Sequence, residues 1–146
     1  MNGITALQHY RQVSTQGAVT DANPHQLILM LLDGAIEKIS IAQGKMIRGE
    51  VAEKGRLISG AIAIIETLSA SLDHGAGGEL ASNLERLYDY MARRLLQSNA
   101  NNSSGHLREV SALLQEVREA WVAIPQDHHQ LDRPAGATAP APGVAQ

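Results

Sequence analysis

Histidine is the side chain in this chain best equipped for chemistry, and there are six of them. Imidazole ligates metals and moves protons near neutral pH, so its neighbours decide what it can do. A di-iron bundle needs Glu-x-x-His on two helices, and no glutamate here is followed by His three residues later. The His-Glu-x-x-His pattern of a zinc protease is also absent. His128 and His129 are adjacent but lie in an Ala/Pro-rich tail, where nothing fixes ligand geometry. A phosphotransfer histidine needs an exposed mid-helix position with a nearby lysine or glycine. His25 and His106 instead stand at predicted helix starts, His74 stands in a turn, and none has lysine within the next four positions. Asp33 and Glu37, spaced i, i+4, are the remaining pair with acid–base potential, and Lys38 and Lys45 make theirs the pattern of a solvated face. The chain has no cysteine, which excludes thiolate metal sites, iron–sulfur clusters and disulfides. The reading is therefore non-enzymatic, with no catalytic residue, no metal and no cofactor.

The elements that would position such residues are helices. Pro24 is the only proline before Pro125, so the stretch between them is free to be helical almost throughout. Phenylalanine is absent and Leu, Ile, Val, Met and Ala carry the apolar content, which favours helix packing over a sheet. The first predicted helix opens with Asn23 as cap, Pro24 in the first turn and Gln26 at the capping-box position, and runs to about Arg48 before Gly49. Its stripe is Ile28, Leu32, Ala35, Ile39, Ala42 and Met46. The second spans about Val51 to Leu72 with Ile58, Ala61, Ile65, Leu68 and Leu72 in line, widened by Leu57, Ile62 and Ile64. Ser59, Gly60, Ala63 and Ala70 form a small-residue side that would let another helix come close. The third spans about Gly78 to Asn99 along Leu80, Leu84, Leu87, Met91 and Leu95, after a glycine-rich turn. The fourth spans about Ser104 to Ile124 along Leu107, Val110, Leu114, Val117, Trp121 and Ile124. Short connections between helices of this length predict an all-α, antiparallel up-down four-helix bundle over residues 24–124. Residues 1–23 form a leader with a short capping helix around Ile4, Leu7 and Tyr10, and residues 125–146 form a disordered tail too poor in large apolar residues to bury a core.

One segment does not fit a self-sufficient bundle. Leu27, Ile28, Leu29, Met30, Leu31 and Leu32 are consecutive, so the helix has no polar side at that level. Either the leader or a partner covers the surplus face. Net charge is −3, which leaves no electrostatic footprint for nucleic acid. Six residues is also far too short a run for membrane insertion. Neither a secretion signal nor a small-molecule site is apparent, and the expected location is the cytosol.

Several combinations are more specific than a generic bundle. They are Tyr10-x-x-Val13 before a polar loop, Asn23-Pro24-His25-Gln26-Leu27-Ile28-x-Met30-Leu31-x-Asp33-Gly34-Ala35, and Gly77-Gly78-Glu79-Leu80-Ala81-x-Asn83-Leu84-x-x-Leu87-Tyr88-Asp89-Tyr90-Met91. Arg94-Leu95-Leu96 with Asn99 follows, and then Ala120-Trp121. Together, over about residues 4–124, they make the chain similar to the flagellar secretion chaperone family, FliS. The resemblance implies an antiparallel helical bundle that binds the disordered C-terminal segment of flagellin, blocks its premature polymerisation and helps deliver it to a component of the flagellar type III export gate. It also implies a leader that lies over the bundle and yields to the client, with Leu7 and Tyr10 at positions linked to client or gate contact. The candidate partner-contacting residues are then Leu7, Tyr10, Leu27, Met30, Leu31, Ile58, Ile62, Leu84, Tyr88 and Met91. Tyr88, Met91 and Trp121 also suit an ordinary core. The rival functions are an adaptor for some other helix and a metal or phosphotransfer bundle.

Overall fold

The computed structural model describes residues 23–124. The expectations of a capping helix in the leader and of a disordered tail lie outside those residues, as do Leu7 and Tyr10. The described part is entirely helix and short turns: α1 (Pro24–Ile47), α2 (Val51–Ala70), α3 (His74–Asn101) and α4 (Ser104–Val122). Each helix packs on the one before it, and α4 returns to close on α1. This is the up-down bundle that the stripes and short turns require.

Local sequence sets the boundaries. The Asn23 side chain accepts from the Gln26 backbone N–H at 2.8 Å, and Gln26 Oε1 accepts from the Asn23 N–H at 3.1 Å, completing the capping box in front of Pro24. Gly49 ends α1's turn at φ 74°, a conformation glycine adopts without steric cost. Lys45 Nζ then bonds Glu50 at 2.9 Å and Glu53 at 2.7 Å, tying α1 to the start of α2. Ser103 caps α4 by accepting from the His106 N–H at 3.2 Å.

α3 departs from the expected outline. Asp73, not a residue beside Gly78, is its cap: the carboxylate accepts from the Ala76 N–H at 3.0 Å, and a helical turn forms from His74 onward. Gly78 then breaks regularity at φ 53°, ψ −125°, so the glycine-rich stretch is one helical turn plus a kink rather than a loop. The buried line of α3 runs through Ala81, Tyr88, Met91 and Leu95, so Leu80, one position off it, is 49% exposed.

The core is where the stripes put it. Leu31, Leu32, Ala35, Ile39 and Ala42 meet Ile58, Ala61, Ile64, Ile65 and Leu68, then Tyr88, Met91 and Leu95, then Leu107, Val110 and Leu114. Each fully buried Leu or Ile contributes about 1.5–3 kcal/mol. Ile28, Met46, Val117 and Trp121, at the stripe ends, are only partly buried.

The end of the bundle away from residue 23 is held by a buried lysine. Lys54 is 4% exposed, and its Nζ donates to Asn99 O at 3.0 Å and Asn102 Oδ1 at 2.6 Å. The ammonium thereby satisfies carbonyls at the negative end of α3. Asn102 itself sits in the left-handed region (φ 53°), the usual terminator geometry for Asn or Gly. Nearby, Tyr90 Oη donates to Glu109 Oε2 at 2.5 Å and Arg94 Nε to Glu109 Oε1 at 3.0 Å, fastening α3 to α4.

Candidate partner-binding site

The antiparallel arrangement brings the start of α1, the end of α2, the start of α3 and the end of α4 to one end of the bundle. Between them opens a small, largely apolar cleft of about 50 Å³. Ile28, Leu68, Leu72, Leu84, Tyr88 and Trp121 form most of its wall, and Leu80 stands at it as a half-exposed leucine. It is far smaller than a small-molecule pocket, and its apolar lining suits the tip of an apolar side chain. The chain enters the described bundle at this end and leaves it here.

His25 and Trp121 lock two of the four helices beside the cleft. His25 Nε2 donates to Trp121 O at 3.0 Å, and Trp121 Nε1 donates to His25 O at 3.0 Å. Their rings stack with centroids 5.1 Å apart and planes 16° from parallel. A carbonyl only accepts, so this contact fixes the proton on Nε2. His25 is 2% exposed, so it is a structural clasp rather than an open ligand or a phosphate acceptor. One turn further in, Arg118 of α4 pairs with Asp33 of α1. Asp33 is thus half of an inter-helix ion pair rather than of an Asp33–Glu37 acid–base couple. Among the described residues no group of three His, Asp or Glu side chains lies together where it could hold a metal ion, and no helix is long and apolar enough to cross a membrane.

The residues of the candidate set divide into layers. Leu84 and Tyr88 line the cleft. Leu27 is buried near it in sequence, at the start of α1, and Met30 is half-buried. Ile62 is half-buried against the core on α2. Leu31, Ile58 and Met91 are wholly interior, each fully shielded from solvent. In the consecutive run, Leu27, Leu31 and Leu32 are buried while Ile28, Leu29 and Met30 are half-buried. The small-residue side of α2 faces outward: Ser59, Ala63 and Ala70 are exposed, and the Lys38 stem lies 3.1 Å from where a Gly60 Cβ would be.

Sequence reasoning left Leu68, Leu72 and the His25–Trp121 clasp out of the candidate set. A signal for the clasp was present: His25 precedes Ile28 and Leu32 at helical spacing, and Trp121 continues the α4 stripe. In an antiparallel bundle the start of α1 faces the end of α4. Tyr88 is the most unusual side chain at the cleft. It is 3% exposed, and burial pushes its hydroxyl up to about 12. The group therefore stays protonated, and a donor, throughout the neutral range.

Comparison with known proteins bears on the same chain segment. The model of the family described as "Flagellar protein FliS" matches residues 6–128. The flagellar secretion chaperone FliSB of Pseudomonas aeruginosa is 48% identical over 124 residues, covering 85% of this chain and 98% of that protein. The flagellar secretion chaperone FliS of Salmonella typhimurium is 47% identical over 125 residues, covering 85% and 93%. The FliS of Escherichia coli is 41% identical over 122 residues, covering 83% and 90%. With its four-helix bundle, its capping motif at Asn23–Gln26 and similarity over most of its length, the chain belongs to the FliS family of flagellar secretion chaperones.

Proposed function

We propose that the chain is a cytosolic, non-enzymatic export chaperone that binds the disordered C-terminal segment of flagellin, prevents its premature polymerisation and aids its delivery to a component of the flagellar type III export gate. The observation that carries this reading is the apolar cleft at the end of the bundle, lined from all four helices, in a chain of this family. A disordered amphipathic segment gains order by laying its apolar side into such a groove. Ordering it costs about 2–5 kcal/mol, offset by burial of roughly 1,000–3,000 Å². That area exceeds the wall of the cleft, so the client contacts the outside of the bundle as well, including half-buried Met30 and Ile62. The interior residues Leu31, Ile58 and Met91 act by shaping the helices that carry the contact surface. No bond is made or broken, and neither a cofactor nor a small molecule is required.

The test is a pull-down with the full chain as bait. Intact flagellin should be retained, and flagellin lacking its last few tens of residues should not. Equal retention of both would refute the C-terminal reading and favour an adaptor for another helix.

A further inference from the structure

Two recesses share one side chain. Besides the apolar cleft, a shallower groove runs between α2 and α3 past Ile65, Glu66, Ser69, Glu85 and Asp89, and Tyr88 lines both. The Tyr88 ring is sealed in the core, yet its hydroxyl has no hydrogen-bond partner among the described residues. The oxygen is not sealed with the ring: it keeps contact with solvent at the wall of the recesses, where it is open to an acceptor. Two buried polar side chains, by contrast, are answered within the fold. Lys54 has Asn99 and Asn102, and Ser98 donates to Ser103 O at 2.7 Å.

The groove's charges are unevenly matched. Asp89 is held by Arg93, Arg86 is turned to Asn83, and among the described residues Glu85 has only His74, at 3.6 Å. Glu66 has no ion pair or hydrogen bond among the described residues. The carboxylates left over make the groove acidic beside an apolar cleft, which complements a basic side chain on an amphipathic segment.

We propose that Tyr88 and Glu66 set the register of the bound segment: the Tyr88 hydroxyl donates to an oxygen acceptor within the segment's apolar stripe, and Glu66 receives a Lys or Arg on the same segment. The partner is thus an amphipathic helix with one polar, oxygen-bearing position on its apolar side and a basic residue near it. This rests on the flagellin reading above and adds which residues of the chaperone select the segment.

The test measures binding of a fluorescently labelled flagellin C-terminal peptide to the full chain and to its Tyr88→Phe and Glu66→Lys variants. Tyr88→Phe keeps the ring and removes only the oxygen. The free variant should therefore be about as stable as the parent, while its affinity for the peptide falls about five- to tenfold. A purely structural tyrosine would not separate stability from affinity in this way. Glu66→Lys, at the surface, should weaken binding several-fold and should be rescued by Lys/Arg→Glu changes in the peptide. Binding by Tyr88→Phe within twofold of the parent would overturn the inference while leaving the flagellin reading intact. Failure of the parent to bind the peptide would overturn that reading and this inference with it.

Discussion

The His25–Trp121 clasp gives the sharpest test of the fold, because its parts can be removed one at a time. Trp121→Phe deletes the Nε1–H that bonds His25 O at 3.0 Å but leaves a ring able to stack on the imidazole. The abandoned carbonyl is not orphaned, since His25 O lies in the first turn of α1 and is positioned to accept from the Leu29 N–H. The loss is then the net worth of one neutral hydrogen bond, about 1 kcal/mol, without the larger penalty for an unsatisfied buried group. The smaller ring adds about half a kcal/mol of lost apolar burial at a site that is only partly buried. The sum, about 1.5 kcal/mol, corresponds to a urea midpoint lower by roughly 1 M at a slope of about 1.5 kcal/mol/M. Far-UV circular dichroism is the right probe, because the substitution removes the only tryptophan. His25→Ala deletes the reciprocal bond and the stack together and should cost more, about 2–3 kcal/mol. A Trp121→Phe midpoint within about 0.2 M of the parent would show that the reciprocal bonds do not join α1 to α4, and the reasoning fails there.

Lys54→Met removes two charge-assisted donors from the end of α3 and should destabilise the bundle by about 2 kcal/mol in urea titration, even though methionine is the better core residue. Asn102→Ala adds left-handed backbone strain to the loss of one Lys54 contact, so it should lower stability by about 1–2 kcal/mol more than Asn102→Gly, which relieves the strain. Tyr88 has a folded value of about 12 against an ordinary 10.0, so ionising it opposes the fold: stability is unaffected by this group below pH 10 and falls as pH rises from about 10 to 12. In an alkaline phenolate titration followed by ultraviolet absorbance, the last transition should coincide with unfolding and vanish in Tyr88→Phe. Glu109 runs the other way. The Tyr90 hydroxyl first, and then Arg94, hold its carboxyl below the usual 4.5, so its contribution is present above that value and lost as pH falls through the folded one. Glu109→Gln should therefore make acid unfolding shallower, as read by circular dichroism between about pH 5 and 2.

Periodicity was enough to find the helices and most of the core. Leu32, Ala35, Ile39, Ala42, Ile58, Ala61, Ile65, Leu68, Met91, Leu95, Leu107, Val110 and Leu114 all stand on predicted stripes and are buried. The opening of α1 was equally legible, because the capping box is a local chemical pattern. Legibility ran out where the outcome depends on what another helix presents. Asp73 and Gly78 both read as turn residues, and only the tertiary course shows that one caps a helix and the other kinks it. Lys54 carries no signal in the sequence pattern, because it is buried only where α3 brings two oxygen acceptors to it. The candidate partner residues were drawn from apolar stripes, which do not distinguish a wall from a core. That is why Leu84 and Tyr88 line the cleft while Leu31, Ile58 and Met91 sit behind it.

The polar ties between helices are distributed unequally, and on the function proposed above this bears on how the cleft would admit a client segment. At the far end, α2 is fastened to α3 through Lys54, and α3 to α4 through Tyr90, Arg94 and Glu109. At the cleft end, His25–Trp121 and Asp33–Arg118 both join α1 to α4. Between His74 and Tyr88, α3 makes no hydrogen bond or ion pair to another helix among the described residues, and only apolar contact holds it. Apolar contact is non-directional and tolerates sliding, whereas a hydrogen bond breaks at small displacement. Gly78, already at positive φ, supplies a backbone joint in that segment. The first half of α3 is therefore the wall that yields at least cost. A segment entering the cleft replaces the apolar contacts it displaces with its own, while the clasp and the Lys54 end keep the other three helices in register. The half-exposed Leu80 sits on that same wall of the cleft, so it is the large apolar side chain there most open to contact.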